Sequence, residues 1–225
     1  MIITLYHGSK KIVDKPTFGF GKAYNDYGCA FYCTQSLELA KEWGSSKDVD
    51  GFANAYEFDL SGLNLVDLNK PPYTILSWLA LLLANRTFDL QNPIAAQGRS
   101  YLISTFLPDV SKADVIKGYR ADDSYFSYAQ DFLNNTISYR QLTFAMRLGT
   151  LGEQYAIKSK LAFSHLHYLG YHKAEFNVWF AKRNERDLAA RNAYSLLRDE
   201  PLRKDDIFIR DILVERMTPD DPRLC

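Results

Sequence analysis

The groups in this chain that could move protons, attack carbon or hold a metal are few: four histidines, three cysteines, and the acid-bearing pairs Asp122-Asp123 and Glu153-Gln154. Cys29 and Cys33 stand four apart, but no second Cys or His pair has zinc spacing, which argues against a metal centre. Either thiol could pair with a histidine as a nucleophile, but the spacing gives that pairing no more weight than coincidence. His165, His167 and His172 alternate only across the first two, which suits a strand face or a solvated turn better than a metal. Gly19-Phe20-Gly21-Lys22 lacks the long glycine spacing, and the Ser or Thr after the lysine, of a phosphate loop. No G-x-S-x-G nucleophile elbow occurs. Three clusters survive: Tyr6-His7-Gly8-Ser9, Phe31-Tyr32-Cys33-Thr34, and Glu153-Gln154.

Taken singly, these residues have plainer readings. His7 could be a turn residue, Tyr32 a core ring and Gly28 a turn glycine. Phe31 and Tyr32 point to opposite faces of a strand, so one of them meets something other than the main core. Asp122 and Asp123 suit the start of a helix, where a carboxylate accepts orphan N–H bonds, and either could instead serve chemistry. Arg120 could fork onto a phosphate or lie exposed. The aromatic loop from Phe18 to Tyr27 could be a lid or simple packing.

The elements that must position these clusters alternate irregularly. Ile2 to Tyr6 is β-branched and aromatic, as strands are, and runs straight into His7. Ala30 to Thr34 reads as a second strand, and Ser36 as the N-cap of a helix through Leu37, Ala40 and Trp43. Asn54 to Leu60 alternates as a strand. After Pro71-Pro72 a buried helix is predicted over Tyr73–Ala84, then a weaker one over Arg99–Phe106. Ala113 to Gly118 reads as a strand, Asp122 to Phe132 as a helix, and Ser138 caps another through Leu148, stopped by Gly149 and Gly152. Glu153 to Lys158 is a short strand. The tail, about residues 180–217, carries one helix with Ala189, Ala193, Leu196 and Leu197 on one face and a second with Phe208, Ile209, Ile212 and Leu213 together. Without regular β-α-β alternation, the fold class is α+β.

Composition narrows the function. The chain has 225 residues, 27 basic and 27 acidic side chains, 47% apolar residues and 14% aromatics. That excludes disorder and allows a sizeable core in one domain, or at most two. A net charge of zero removes the strong basic field that would announce nucleic-acid binding, though not a local patch. Three cysteines make no disulfide framework, and no signal peptide precedes the first strand, so a cytoplasmic protein is expected. The longest apolar run, Thr74 to Ala84, is half the length a membrane helix needs, so no membrane partner is expected.

The order and spacing of the surviving clusters resemble the ADP-ribosyltransferase superfamily, in its diphtheria-toxin-like His–Tyr–Glu branch. More narrowly, the chain is similar to an uncharacterised bacterial family within that clan. The resemblance rests on Tyr6-His7-Gly8-Ser9, on Asp26-Tyr27-Gly28-Cys29-Ala30-Phe31-Tyr32-Cys33-Thr34, on Ala40-Lys41-Glu42-Trp43, on Ala121-Asp122-Asp123, and on Gln154. It covers Leu5 to about Leu169. It implies a single domain over residues 1–225 with a split mixed β-sheet, a helical insertion at about 70–110 and a helical tail, with NAD across the cleft between the sheet's halves.

The resemblance also implies roles. His7 would bond the adenosine ribose, and the Gly8 backbone, beside Ser9, would clamp the nicotinamide amide. Tyr32 would stack on the nicotinamide ring, Thr34 would bond the second ribose, and Tyr27 would stand near the pocket. The catalytic position falls on Gln154, where the superfamily has glutamate, with Glu153 beside it. Only one of these neighbours can face the cleft, and Gln154 is expected there. Asp122 or Asp123 could supply a carboxylate near the acceptor. The activity so implied is NAD-dependent mono-ADP-ribosyl transfer to a protein or nucleic acid, with a toxin-like effector controlled by an antitoxin-like partner as its setting. The alternatives are an NAD glycohydrolase, or a non-catalytic module that binds NAD or a partner.

Overall fold

The computed structural model describes residues 1–90, 92–121, 123–148 and 152–224, with the side chains of residues 123–125 outside that description. The chain runs β1 (Ile2–Ser9), β2 (Phe31–Cys33), α1 (Leu37–Gly44), β3 (Gly51–Asp59), β4 (Leu65–Asp67), α2 (Ile75–Asn85), α3 (Pro93–Phe106) and β5 (Val115–Tyr119). It continues with α4 (Asp123–Leu133), α5 (Tyr139–Ala145), β6 (Glu153–Ile157), α6 (Lys160–Ser164), β7 (Leu166–Ala174), α7 (Phe176–Arg198) and α8 (Ile209–Glu215). The α+β class holds. Residues divide between two compact units: Met1–Asp67, Val110–Arg120 and Leu151–Leu188 in the first, Leu68–Asp109, Ala121–Thr150 and Ala189–Cys225 in the second.

The first unit holds both sheets. One is antiparallel, in the order β1-β3-β7; the other is mixed, in the order β2-β6-β5-β4, because β4 runs parallel to β5. Tyr6 and Thr34 exchange backbone bonds of 2.7 and 2.9 Å, which stitch β1 to the end of β2. Leu5 and Phe58 of the first sheet pack with Cys33, Val115, Tyr155 and Ile157 of the second. Strand residues alternate between faces, so Tyr32, Ala156 and Gln154 stand on the face of the second sheet opposite that core.

Caps account for where the helices start. Ser36 Oγ accepts from the Leu39 N–H at 3.2 Å and opens α1 as expected. α2 opens on a Thr74–Ser77 capping box, and every residue from Ile75 to Leu83 is buried within the second unit. α3 begins earlier than Arg99, because Asn92 caps it and Pro93 sits at its first turn.

Of the strand face and the solvated turn open to the histidine-bearing run, β7 is the strand; it pairs with β3 through an irregularity at Ala55/Tyr56, which breaks its apolar alternation. Two expectations need correction. α7 starts at Phe176, and its buried positions in the second unit are Ala190 and Tyr194, while Ala189 and Leu196 are exposed. Tyr194 sets that rotation: its ring lies 3.9 Å from that of Tyr128, and its hydroxyl donates to Asp131 at 2.6 Å. Finally, α5 ends at Ala145, short of Leu148; Gly149 lies outside the described residues.

Candidate functional site

β1 carries His7, Gly8 and Ser9 along the flank of α1. A Cβ on Gly8 would lie 2.1 Å from the Ala40 carbonyl oxygen and 2.8 Å from the Gly44 nitrogen. The packing of helix against strand thus requires glycine here. This packing fixes His7 beside β2. Its Nδ1 lies 2.8 Å from the Tyr32 carbonyl, which can only accept, so Nδ1 carries the proton and Nε2 the lone pair. Burial pushes the imidazole below its ordinary value, against the raising effect of the Tyr32 bond. The ring also packs on Phe31, with centroids 4.3 Å apart.

Tyr32 is pinned at its far end. Its hydroxyl donates to the Gly28 carbonyl at 2.7 Å and accepts from the Tyr27 N–H at 3.0 Å. Gly28 takes φ +79, which completes this turn. Tyr27 is fully buried, with its hydroxyl donating to the Tyr119 carbonyl, so it anchors the turn and forms no cavity wall. Thr34 is likewise buried; its hydroxyl oxygen accepts from the Ser36 N–H at 3.2 Å and shapes the entry to α1. Both side chains are buried supports, of the turn and of the helix start respectively.

On β6 the two neighbours diverge. Gln154 lies on the Tyr32 face and Glu153 on the other, where its carboxylate meets the Lys117 ammonium at 2.7 Å. Gln154 is only 3% exposed. Its Nε2 donates to Asp26 Oδ2 at 2.9 Å and to the Tyr119 carbonyl at 3.1 Å, which engages both amide protons and leaves Oε1 as its remaining acceptor. Asp26, itself buried, gives a local reason for glutamine here: a glutamate would set two carboxylates together. Asp122 lies outside the described residues, and Asp123 opens α4 with its side chain outside the description.

His7, Gly8, Ser9 and Tyr32 share the wall of a cavity of about 920 Å³. Phe20, Phe31 and Trp43 add aromatic faces, and Lys10, Lys11, Lys15 and Lys22 add positive charge. No described lining residue is acidic. The Trp43 Nε1 is buried without a hydrogen-bond partner among the described residues. The Arg120 guanidinium lies over the Trp43 ring, 4.3 Å from its centroid. Gln154 does not line the cavity. Elsewhere, His165 bonds the Asp59 carbonyl at 2.8 Å, while His167 and His172 lie on β7. Among the described residues no group of three or more His, Cys, Asp or Glu could hold a metal, and no helix is long and apolar enough to cross a membrane.

A family model described as "Protein of unknown function (DUF3990)" matches residues 3–168. The chain belongs to this family. No curated protein and no solved structure matches it. The DUF3990 match takes in the whole cavity wall and the Asp26–Gln154 pair, and stops before α7.

Sequence reasoning passed over two features of this DUF3990 site. The lysines are scattered through an irregular segment with no spacing signal, so only the fold gathers them. Asn54 and Tyr56 of β3 hold that segment: Asn54 donates to the His7 carbonyl and to Ser9 Oγ, both at 3.1 Å, and accepts from the Val13 N–H at 2.8 Å. Tyr56 donates to the Val13 carbonyl. The available signal was a lone Asn within a strand-like run, which, once buried, must find hydrogen-bond partners.

Proposed function

We propose that this DUF3990 protein is an NAD-dependent mono-ADP-ribosyltransferase whose dinucleotide site is the His7–Tyr32 cavity. The observation that carries the proposal is the convergence of two distant motifs, His7-Gly8-Ser9 and Phe31-Tyr32, on one cavity lined with lysines, aromatic rings and no described carboxylate. That lining suits a ligand with a diphosphate and two flat heterocycles. Lysines at the rim offset the diphosphate charge. The His7 Nε2 lone pair accepts from a ribose hydroxyl, and the pinned Tyr32 ring offers a flat face to nicotinamide.

In the reaction, the bond between the ribose anomeric carbon and the nicotinamide nitrogen breaks, and nicotinamide leaves with the electron pair. The acceptor donates a pair to the oxocarbenium-like carbon and releases a proton to solvent. Holding the dinucleotide in place is the protein's main contribution, since nicotinamide is a good leaving group.

One observation favours a second reading, a module that binds NAD without turnover: Gln154 is buried and its amide is committed to Asp26 and Tyr119. Incubation with labelled NAD and a lysate separates the readings. Label on a macromolecule supports the transferase, nicotinamide release without label a glycohydrolase, and binding without release the module.

A further inference from the structure

The segment from Lys10 to Tyr24 borders the cavity and carries more than a dinucleotide requires. Lys10, Lys11, Lys15 and Lys22 are all exposed and make no salt bridge among the described residues. NAD offers two phosphate charges and one opposing positive ring, so four lysines leave positive charge over. The single acidic side chain in this stretch is Asp14. The excess is local, because the chain as a whole is neutral. Interleaved with the lysines are aromatic rings turned to water: Phe20 is 87% exposed and Tyr24 62%. Phe20 has no ring partner among the described residues, and Lys22 Nζ lies 5.7 Å over the Tyr24 ring. Phe18 is engaged, edge-on to Phe163 at 5.6 Å.

We infer that this segment is the docking surface for a single-stranded nucleic acid, which serves as the acceptor at the adjoining site; the acceptor role rests on the transferase reading. Exposed rings offer stacking to bases of any sequence, and interleaved lysines follow a phosphate backbone. Paired bases would be closed to such rings, and the segment is a loop with no helix or hairpin to enter a major groove. In the transfer, a base nitrogen or oxygen forms the new bond to the anomeric carbon, nicotinamide departs with the old bonding pair, and the base loses a proton to solvent.

The test is fluorescence anisotropy of the full chain, without NAD, against labelled mixed-sequence single-stranded DNA and RNA about 12 nucleotides long. Single strands should bind more tightly than a duplex of the same length. Tyr24→Ala, which leaves the cavity wall intact, should weaken binding about tenfold, and Phe20→Ala/Tyr24→Ala by more. Lys10→Gln/Lys11→Gln should lower the slope of log K against log salt by about 1.4. No binding, equal binding to duplex, or indifference to Tyr24→Ala overturns the surface. Nuclease-resistant label on protein overturns the acceptor role. Oligonucleotide binding without nicotinamide release keeps the surface and overturns the transferase reading, whereas nicotinamide release without oligonucleotide binding does the reverse.

Discussion

His7 and a carboxylate placed at position 154 should respond to pH in opposite directions, and each response tests a place in the site. The His7 folded-state value lies below the ordinary 6.5 because burial disfavours the charged ring. Its stabilising contribution is therefore complete above about 6.5 and is lost as pH falls through the lower folded value. The melting midpoint should begin to drop as pH falls below about 6.5, before the carboxylates titrate, and His7→Gln should flatten that fall. An unchanged slope in the variant would contradict the assigned burial. For Gln154 the informative change is Gln154→Glu, which sets a carboxylate against Asp26. One of the pair is then held protonated, with a raised folded value, so its stability is present at low pH and lost as pH rises. Melts should show a cost of about 1–3 kcal/mol at pH 7.5 that shrinks at pH 5. Equal cost at both pH values would mean that Asp26 does not face residue 154. This pair also accounts for glutamine at position 154: its amide can donate to the Asp26 carboxylate, a partner 128 residues away in sequence that no local pattern reveals.

At the scale of elements, the site depends on how closely α1 lies against β1. Gly8→Ala would drive a Cβ into the Ala40 carbonyl, which is helix backbone and cannot swing aside as a side chain could. The expected cost is about 3 kcal/mol, read as a lowered midpoint in denaturant or heat; a variant as stable as the parent would show that α1 can retreat freely. Much at this scale was legible beforehand. Local signals sufficed for β1, β2, β6 and α1, since alternation and the Ser36 cap are encoded within a few residues. β7 escaped because Leu169, the extra residue where the pairing with β3 shifts at Ala55/Tyr56, moves its apolar positions from one alternation to the other. The rotation of α7 escaped because Tyr194, polar and aromatic, outweighs the leucine at 196 once Tyr128 and Asp131 are in place. Gly8 was foreseen as special, but for ligand approach; the helix behind it cannot be seen from strand residues alone.

At the scale of the whole molecule, neutrality conceals an uneven distribution. The 27 basic and 27 acidic side chains cancel, yet four lysines gather on one cavity whose described lining has no acid. The same fold sets Tyr32 and Gln154 on one sheet face, turns Glu153 away to Lys117, and leaves Tyr27 and Thr34 as buried supports. The sequence motifs thus delimit the cavity wall but could not separate ligand-facing residues from those that hold them. The proposed activity requires that this cavity bind NAD and that the protein break its nicotinamide bond. It is tested most directly by measuring nicotinamide release from labelled NAD by the full chain and by folded His7→Ala and Tyr32→Ala variants. Release by the parent, lowered about a hundredfold or more in each variant, is the predicted result. No release by the parent, or release that persists undiminished in both variants, would contradict it.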